Sequence, residues 1–152
     1  MKVPVTFLFC LLCIQLFACN KNTEVTASSN DISNTDSMKL KITVGANTFS
    51  GILYNNETVV AFKTKLPLTI NMSELNGNEK YFDLPNSLPA DASNPGTIQT
   101  GDLMLYGSNT LVLFYKSFST SYNYTRLARI ENPSGLTAAL GLGSITVKFE
   151  LE

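Results

Sequence analysis

From Lys39 to its last residues the chain runs in short segments whose apolar side chains recur at every second position. Glycine, asparagine or proline cuts each segment off. In an extended chain successive side chains point to opposite faces, so this period buries one face of a strand and wets the other. Leu40, Ile42 and Val44 alternate with Lys41 and Thr43, and KLKITVGANTFSGILY (39–54) predicts a hairpin around Gly45-Ala46-Asn47. LTINMSEL (68–75) and EKYFDL (79–84) predict a second hairpin, joined by Asn76-Gly77, a pair suited to the positive φ angles of a two-residue turn. Further strands are predicted over 102–106, 110–116, 124–130 and 144–151.

Three stretches depart from the alternation. Asn56 stands where a helix cap belongs, with Glu57 in the first turn. Val59, Val60, Phe62, Lys63 and Leu66 follow at roughly 3.6-residue spacing, and Pro67 stops the helix. PSGLTAAL (133–140) predicts a second, shorter helix. PNSLPADASNPGTIQT (85–100) has three prolines and no apolar period, which predicts a long loop that is either functional or packed on the surface. About eight short strands and two short helices, with an N-terminal strand matched by a C-terminal one, favour a mainly β fold closed into a barrel. A sandwich is the alternative.

The aromatic residues concentrate in GDLMLYGSNTLVLFYKSF (101–118) and the STSYNYTRLARI that follows. On the strand over 110–116, Leu111, Leu113 and Tyr115 face one way and Val112, Phe114 and Lys116 the other. Both rows are largely apolar, so this strand is expected to be covered on both faces, by the barrel core and by a helix. Tyr122, Tyr124 and Arg126 fall on one face at alternate positions. Two phenols beside a guanidinium suit a planar, carbonyl or carboxylate ligand, and suit equally a cross-strand ladder. Tyr106 joins them if its strand pairs with 110–116 through Gly107-Ser108-Asn109.

The composition excludes several chemistries. The chain has no histidine, which removes the commonest general base near neutral pH and every triad built on it. Its three cysteines, Cys10, Cys13 and Cys19, all precede residue 20, so the rest of the chain has no thiol nucleophile, disulfide or Cys/His zinc site. Neither a metal nor a cofactor is expected. Eleven basic and twelve acidic residues without a run of either sign point away from nucleic acid. Glu74, Glu79 and Asp83 flank the Asn76-Gly77 turn and are expected to be surface charges of a hairpin, and Asp102 is expected to fix a turn through its own backbone. Gly141-Leu142-Gly143 lacks the strand, third glycine and helix of a dinucleotide fingerprint.

The N-terminus carries an address. In MKVPVTFLFCLLCIQLFAC (1–19) a lysine precedes an apolar stretch from Val3 to Ala18, too short for the roughly 18 to 20 residues of a stable membrane-spanning helix. This is expected to be a signal peptide. Leu16-Phe17-Ala18-Cys19 resembles the bacterial lipobox, which implies that Cys19 is acylated, palmitate included, and becomes the first residue of an anchored protein. NKNTEVTASSNDISNTDS (20–37) has too few apolar residues to build a core. It is expected to be a flexible tether spanning about 25 Å, with the folded domain over 38–152.

NGNEKYFDLP (76–85), GDLMLYGSNTLVLFYKSF (101–118) and RIENPSGLTAAL (129–140) together resemble the bacterial cyclophilin-like domain family over residues 38–152. The resemblance implies a closed cyclophilin-like β-barrel and a groove that holds proline with an arginine and a set of Phe, Met, Gln, Trp and His residues. It sets Phe114 or Leu113 near the groove phenylalanine. Tryptophan and histidine are absent, and no arginine lies on the strand around 68–74 where the catalytic one belongs; the only two are Arg126 and Arg129. The expected function is therefore a non-catalytic binding module for a peptide or small ligand, with Tyr106, Phe114, Tyr122, Tyr124 and Arg126 as site residues. The protein is expected on the cell envelope of a Gram-negative bacterium, on the outer membrane facing periplasm or surface. The alternatives are a degenerate prolyl isomerase using Arg126 and a structural subunit of an envelope complex.

Overall fold

The alternating runs become strands whose faces follow their period. A computed structural model describes residues 38–152. The signal peptide expected over 1–19, Cys19 and the tether over 20–37 lie outside the described residues. Two hairpins form as their turns predict: β1 (Lys39–Val44) with β2 (Asn47–Leu53), and β3 (Leu68–Leu75) with β4 (Glu79–Asp83). Asn76 and Gly77 adopt φ values of 57° and 67°, the left-handed pair that matches the twist of the flanking strands.

The remaining strands are β5 (Thr97–Ile98), β6 (Asp102–Tyr106), β7 (Thr110–Phe114), β8 (Phe118–Ser119), β9 (Tyr124–Ile130) and β10 (Ile145–Leu151). Eight of the ten close into an antiparallel barrel in the order β1-β10-β3-β4-β7-β6-β9-β2. Closure is made by the first and last strands, Val44 lying opposite Val147 and Leu40 opposite Leu151. The barrel, not the sandwich, is therefore the fold.

Inward rows fill the interior: Leu40, Ile42 and Val44, Leu103 and Leu105, Leu111 and Leu113, and Val147 and Phe149 are all essentially inaccessible. Each such aliphatic or aromatic burial stabilises the fold by about 1.5–3 kcal/mol relative to exposure. The two helices close the ends. α1 (Glu57–Lys63) follows β2, and its Val59 and Phe62 join the core, Phe62 meeting Phe149 edge-on at 6.4 Å. The Asn56 side chain caps it by accepting from the Val59 amide at 2.9 Å. The helix ends at Lys63, earlier than its apolar spacing predicts, and Val60 lies 60% exposed rather than on the buried face. α2 (Leu136–Leu140) precedes β10 at the opposite mouth and buries Leu136 and Leu140.

The proline-rich loop is pinned rather than open. Leu84 and Leu88 reach the main core, and their amides donate to the carbonyls of Asn109 and Ser108. β5 then pairs with β8 as a two-stranded ribbon laid on the outer face of the barrel. Its Ile98 is fully buried in a second cluster with Met104, Val112, Phe114 and Tyr124. So β7 is covered on both faces as its two apolar rows require, but the outer cover is this ribbon and not a helix. Gly101, where the chain enters β6, has φ +91°, and a Cβ there would stand 3.0 Å from the Ile130 Cβ. Only glycine fits that crossing.

Candidate functional site

A cleft of about 550 Å³ opens on the outer face of the barrel, within the range of small-ligand sites. The pleat decides what lines it. Glu79 pairs with Phe114, Tyr81 with Val112 and Asp83 with Thr110, so Glu79, Tyr81 and Asp83 share the outward face of β4 and form one side of the floor. Val112, Tyr106 and Tyr124 continue it across β7, β6 and β9. The Asn76-Gly77 turn forms one wall, with Leu75 and Asn78 in the lining, and Phe118 to Tyr122 form the other.

The aromatic residues meet here. Tyr106 stands 6.1 Å from Tyr122 in an edge-to-face pair and 5.5 Å from Tyr124, while Phe114 packs edge-on against Tyr124 at 5.5 Å and Phe118 at 5.7 Å. Tyr106 and Tyr122 are exposed, at 46% and 62%, whereas Tyr124 and Phe114 are buried beneath the ribbon. Phe114 supports the cleft from below and is not part of its lining. Burial, then the charge of Glu79, raises the Tyr124 phenol above its ordinary range.

Arg126 does not join them. Its register puts it opposite Met104, on the face of Tyr124. Its guanidinium nevertheless turns across β9 toward β2, where it lies 5.9 Å from the Tyr54 ring and donates a long 3.5 Å bond to the Tyr54 hydroxyl. The alternation stops just beyond it, because a bulge pairs Met104 with Arg126 and Leu103 with Ala128, leaving Leu127 as the extra residue, buried in the core. Among the described residues no arginine or lysine lines the cleft. Tyr122 precedes β9 and reaches the rim from the connecting segment rather than from the strand.

The carboxylates beside the Asn76-Gly77 turn are not the equivalent surface charges their sequence suggests. Lys80 faces inward opposite Leu113 and is wholly buried. Its ammonium is held by Glu74 and by the carbonyls of Gly141 and Gly143, at 3.0 and 2.6 Å, in the segment after α2. Tyr115 donates to Glu74 at 2.7 Å. Burial alone would raise the Glu74 carboxyl, but the hydrogen bonds from Lys80 and Tyr115 and the Lys80 charge bring it below its usual value. The Tyr115 phenol is pushed up to about 12 by burial and by Glu74.

Glu79 has the opposite environment. It is 8% exposed, lines the cleft and has no ion-pair or hydrogen-bond partner among the described residues. Burial, then the Glu74 charge, holds its carboxyl above the usual range. Beside it the Asn78 Oδ1 is buried without a donor. Asp102 fixes the turn before β6, but through the backbone of Gln99 and not its own: its Oδ2 accepts from the Gln99 amide at 2.8 Å, and its Oδ1 lies 3.0 Å from Arg129 Nε. Among the described residues no group of three or more acidic, Cys or His side chains is placed to hold a metal ion.

The family model described as the cyclophilin-like family matches residues 42–150, which is nearly all of the barrel. The chain belongs to the cyclophilin-like family. A solved relative by shape is a hypothetical protein from Archaeoglobus fulgidus, 21% identical, with a TM-score of 0.51 over 75% of this chain and 94% of that one. At that identity the likeness extends to the fold. A search of curated proteins found no significant match. The cyclophilin-like barrel is thus established on its own strand order and on the family match, while the cleft rests on the residues that line it.

Tyr106, Tyr122 and Tyr124 of the sequence-predicted set line one cleft. Phe114 lies under it, and Arg126 lies across the sheet. Sequence reading missed Glu79, Tyr81, Asn78 and Phe118. The first two carry a signal in retrospect: in EKYFD the inward phase takes Lys80 and Phe82, which leaves Glu79, Tyr81 and Asp83 together on the outer face.

Proposed function

We propose that this protein is a lipid-anchored lipoprotein of the cell envelope whose cyclophilin-like domain binds a peptide segment or small ligand without catalysing a reaction on it. The observation that carries this reading is the cleft itself, a ligand-sized opening floored by tyrosines. Aromatic floors hold ligands through contact area and leave the phenol hydroxyls free for hydrogen bonds. The non-catalytic reading is supported by a lining that holds no arginine among the described residues, since the resemblance to cyclophilins implies an arginine as the donor that lowers the ~20 kcal/mol barrier of an X–Pro bond. Arg126, the arginine that shares a strand face with Tyr124, is turned onto Tyr54. Anchoring through an acylated Cys19 rests on the lipobox-like Leu16-Phe17-Ala18-Cys19.

Amide chemical-shift mapping of the full chain against a library of short peptides and metabolites tests the binding role. A ligand is expected to shift the amides of Tyr81 and Tyr106 on the floor and of Phe118 and Tyr122 on the facing wall. Tyr106→Ala, at an exposed position, is expected to weaken the same ligand without unfolding the protein. Binding that maps elsewhere, or survives Tyr106→Ala and Tyr122→Ala together, removes the cleft as the site. A proline-isomerisation rate above the uncatalysed one, lost in Arg126→Ala, overturns the non-catalytic reading.

A further inference from the structure

We propose that the cleft recognises its ligand through a cationic group, a primary ammonium or a guanidinium, seated against Glu79. The inference rests on the reading of the cleft as a ligand site and adds the chemistry that the site selects. Three independent features of the lining converge on it. Glu79 is more than nine-tenths buried as a residue, yet its carboxylate oxygens keep access to the cleft and have no partner among the described residues, so a cation seated there would meet a carboxylate that its surroundings leave without a countercharge. The contrast with Glu74 is direct. Two carboxylates flank the same turn, and the lysine next to Glu79 in sequence takes the inward face, where it neutralises its cross-strand partner Glu74 instead.

The second feature is Asn78 Oδ1, a buried acceptor without a donor, on the same wall. Glu79 therefore leaves acceptor capacity open to the cleft, with an unsatisfied acceptor buried beside it and no cationic donor from either residue, which a multi-donor cation complements. The third is the company these groups keep. The lining holds Glu79 and Asp83 and, among the described residues, no basic one, with Tyr81, Tyr106, Phe118, Tyr122 and Tyr124 supplying ring faces and hydroxyls. Electron-rich rings beside a carboxylate attract a cation and repel an anion. Asp83 already accepts from the Thr110 hydroxyl at 2.6 Å, so Glu79 is the acid with its full capacity free.

The shared chemistry, a protonated amine, can come from a basic side chain of a peptide or from a free amine, and the test separates the two. The probes are an acetylated, amidated alanine-lysine-alanine peptide, its twin with norleucine in place of lysine, and the n-butylammonium ion, each titrated into the full chain by calorimetry and amide chemical-shift mapping. The lysine peptide is expected to bind about tenfold or more tightly than its norleucine twin, the worth of one charge-assisted hydrogen bond, with shifts at Tyr81, Phe118 and Tyr122. Glu79→Gln is expected to remove that preference, while Glu57→Gln, the same charge change on α1, leaves it intact. Binding of n-butylammonium at the same residues assigns the cation to free amines as well as peptides, and binding of the peptide alone assigns it to basic peptides. Equal binding of the two peptides in the cleft overturns the cationic preference and leaves the cleft as a ligand site. Failure of every probe to shift the cleft residues overturns the proposal, whereas a library ligand that then maps to the cleft preserves the broader reading.

Discussion

Glu74 and Glu79 stand on either side of one turn and bias the protein in opposite directions as pH changes. Glu74 is held below its unfolded value, so it binds fewer protons when folded. Its contribution is present above the ordinary glutamate range and is lost as pH falls through its depressed folded value. Glu79 is raised, so the folded state binds more protons than the unfolded one between about 4.5 and its folded value, and its effect on stability worsens as pH rises through that window. Glu79→Gln is therefore expected to raise the melting temperature at pH 7 and to lose that advantage near pH 4, as thermal unfolding at the two values will show. An equal gain at both would mean that the charge is not responsible. Glu74→Gln leaves the buried Lys80 ammonium with neutral acceptors only, its countercharge gone, and is expected to cost about 3 kcal/mol by urea unfolding at pH 7. Little of this contrast was legible in the sequence, where both residues are acids beside a turn. What separates them is which side of the pleat each neighbour takes.

At the scale of elements, periodicity made the barrel strands readable because each is long enough to repeat its pattern. β5 and β8 have two residues each, too few for any period, so the sequence shows a proline-rich loop where the chain makes a ribbon. Their function as a cover depends on one side chain. Ile98 is fully buried against Met104, Val112, Phe114 and Tyr124, and Ile98→Ala is expected to cost about 2–4 kcal/mol. The loss should be local: hydrogen exchange is expected to speed up at Thr97 and Thr120 more than at Leu103 or Leu113, since the ribbon opens without breaking a barrel pair. A uniform rise across the barrel would refute a separable ribbon. The direction of Arg126 was equally hidden. Alternation put it correctly on the face of Tyr124, but a long side chain at that position chooses between two neighbouring strands, and Tyr54 on the β2 side takes it.

On the scale of the whole molecule, the first and last described strands are hydrogen-bonded neighbours, so the barrel closes late in the sequence and depends on its final segment. The matching of an N-terminal run with a C-terminal one made closure foreseeable, whereas the position of the cleft was not, because it needs β4, β7, β6 and β9 to be adjacent in an order the chain does not follow. The proposed anchor is tested at this scale by cell fractionation. Cys19→Ser is expected to move the protein from the membrane fraction to the soluble one, and a variant that stays with membranes overturns the lipid attachment.

The ribbon that walls the cleft lies outside the closed ring of eight strands. Changes in Phe118 to Tyr122 alter what the cleft admits while every barrel strand keeps both neighbours. Ligand preference and folding are therefore written in different stretches of the chain, and related barrels can diverge in what they hold while remaining equally able to fold.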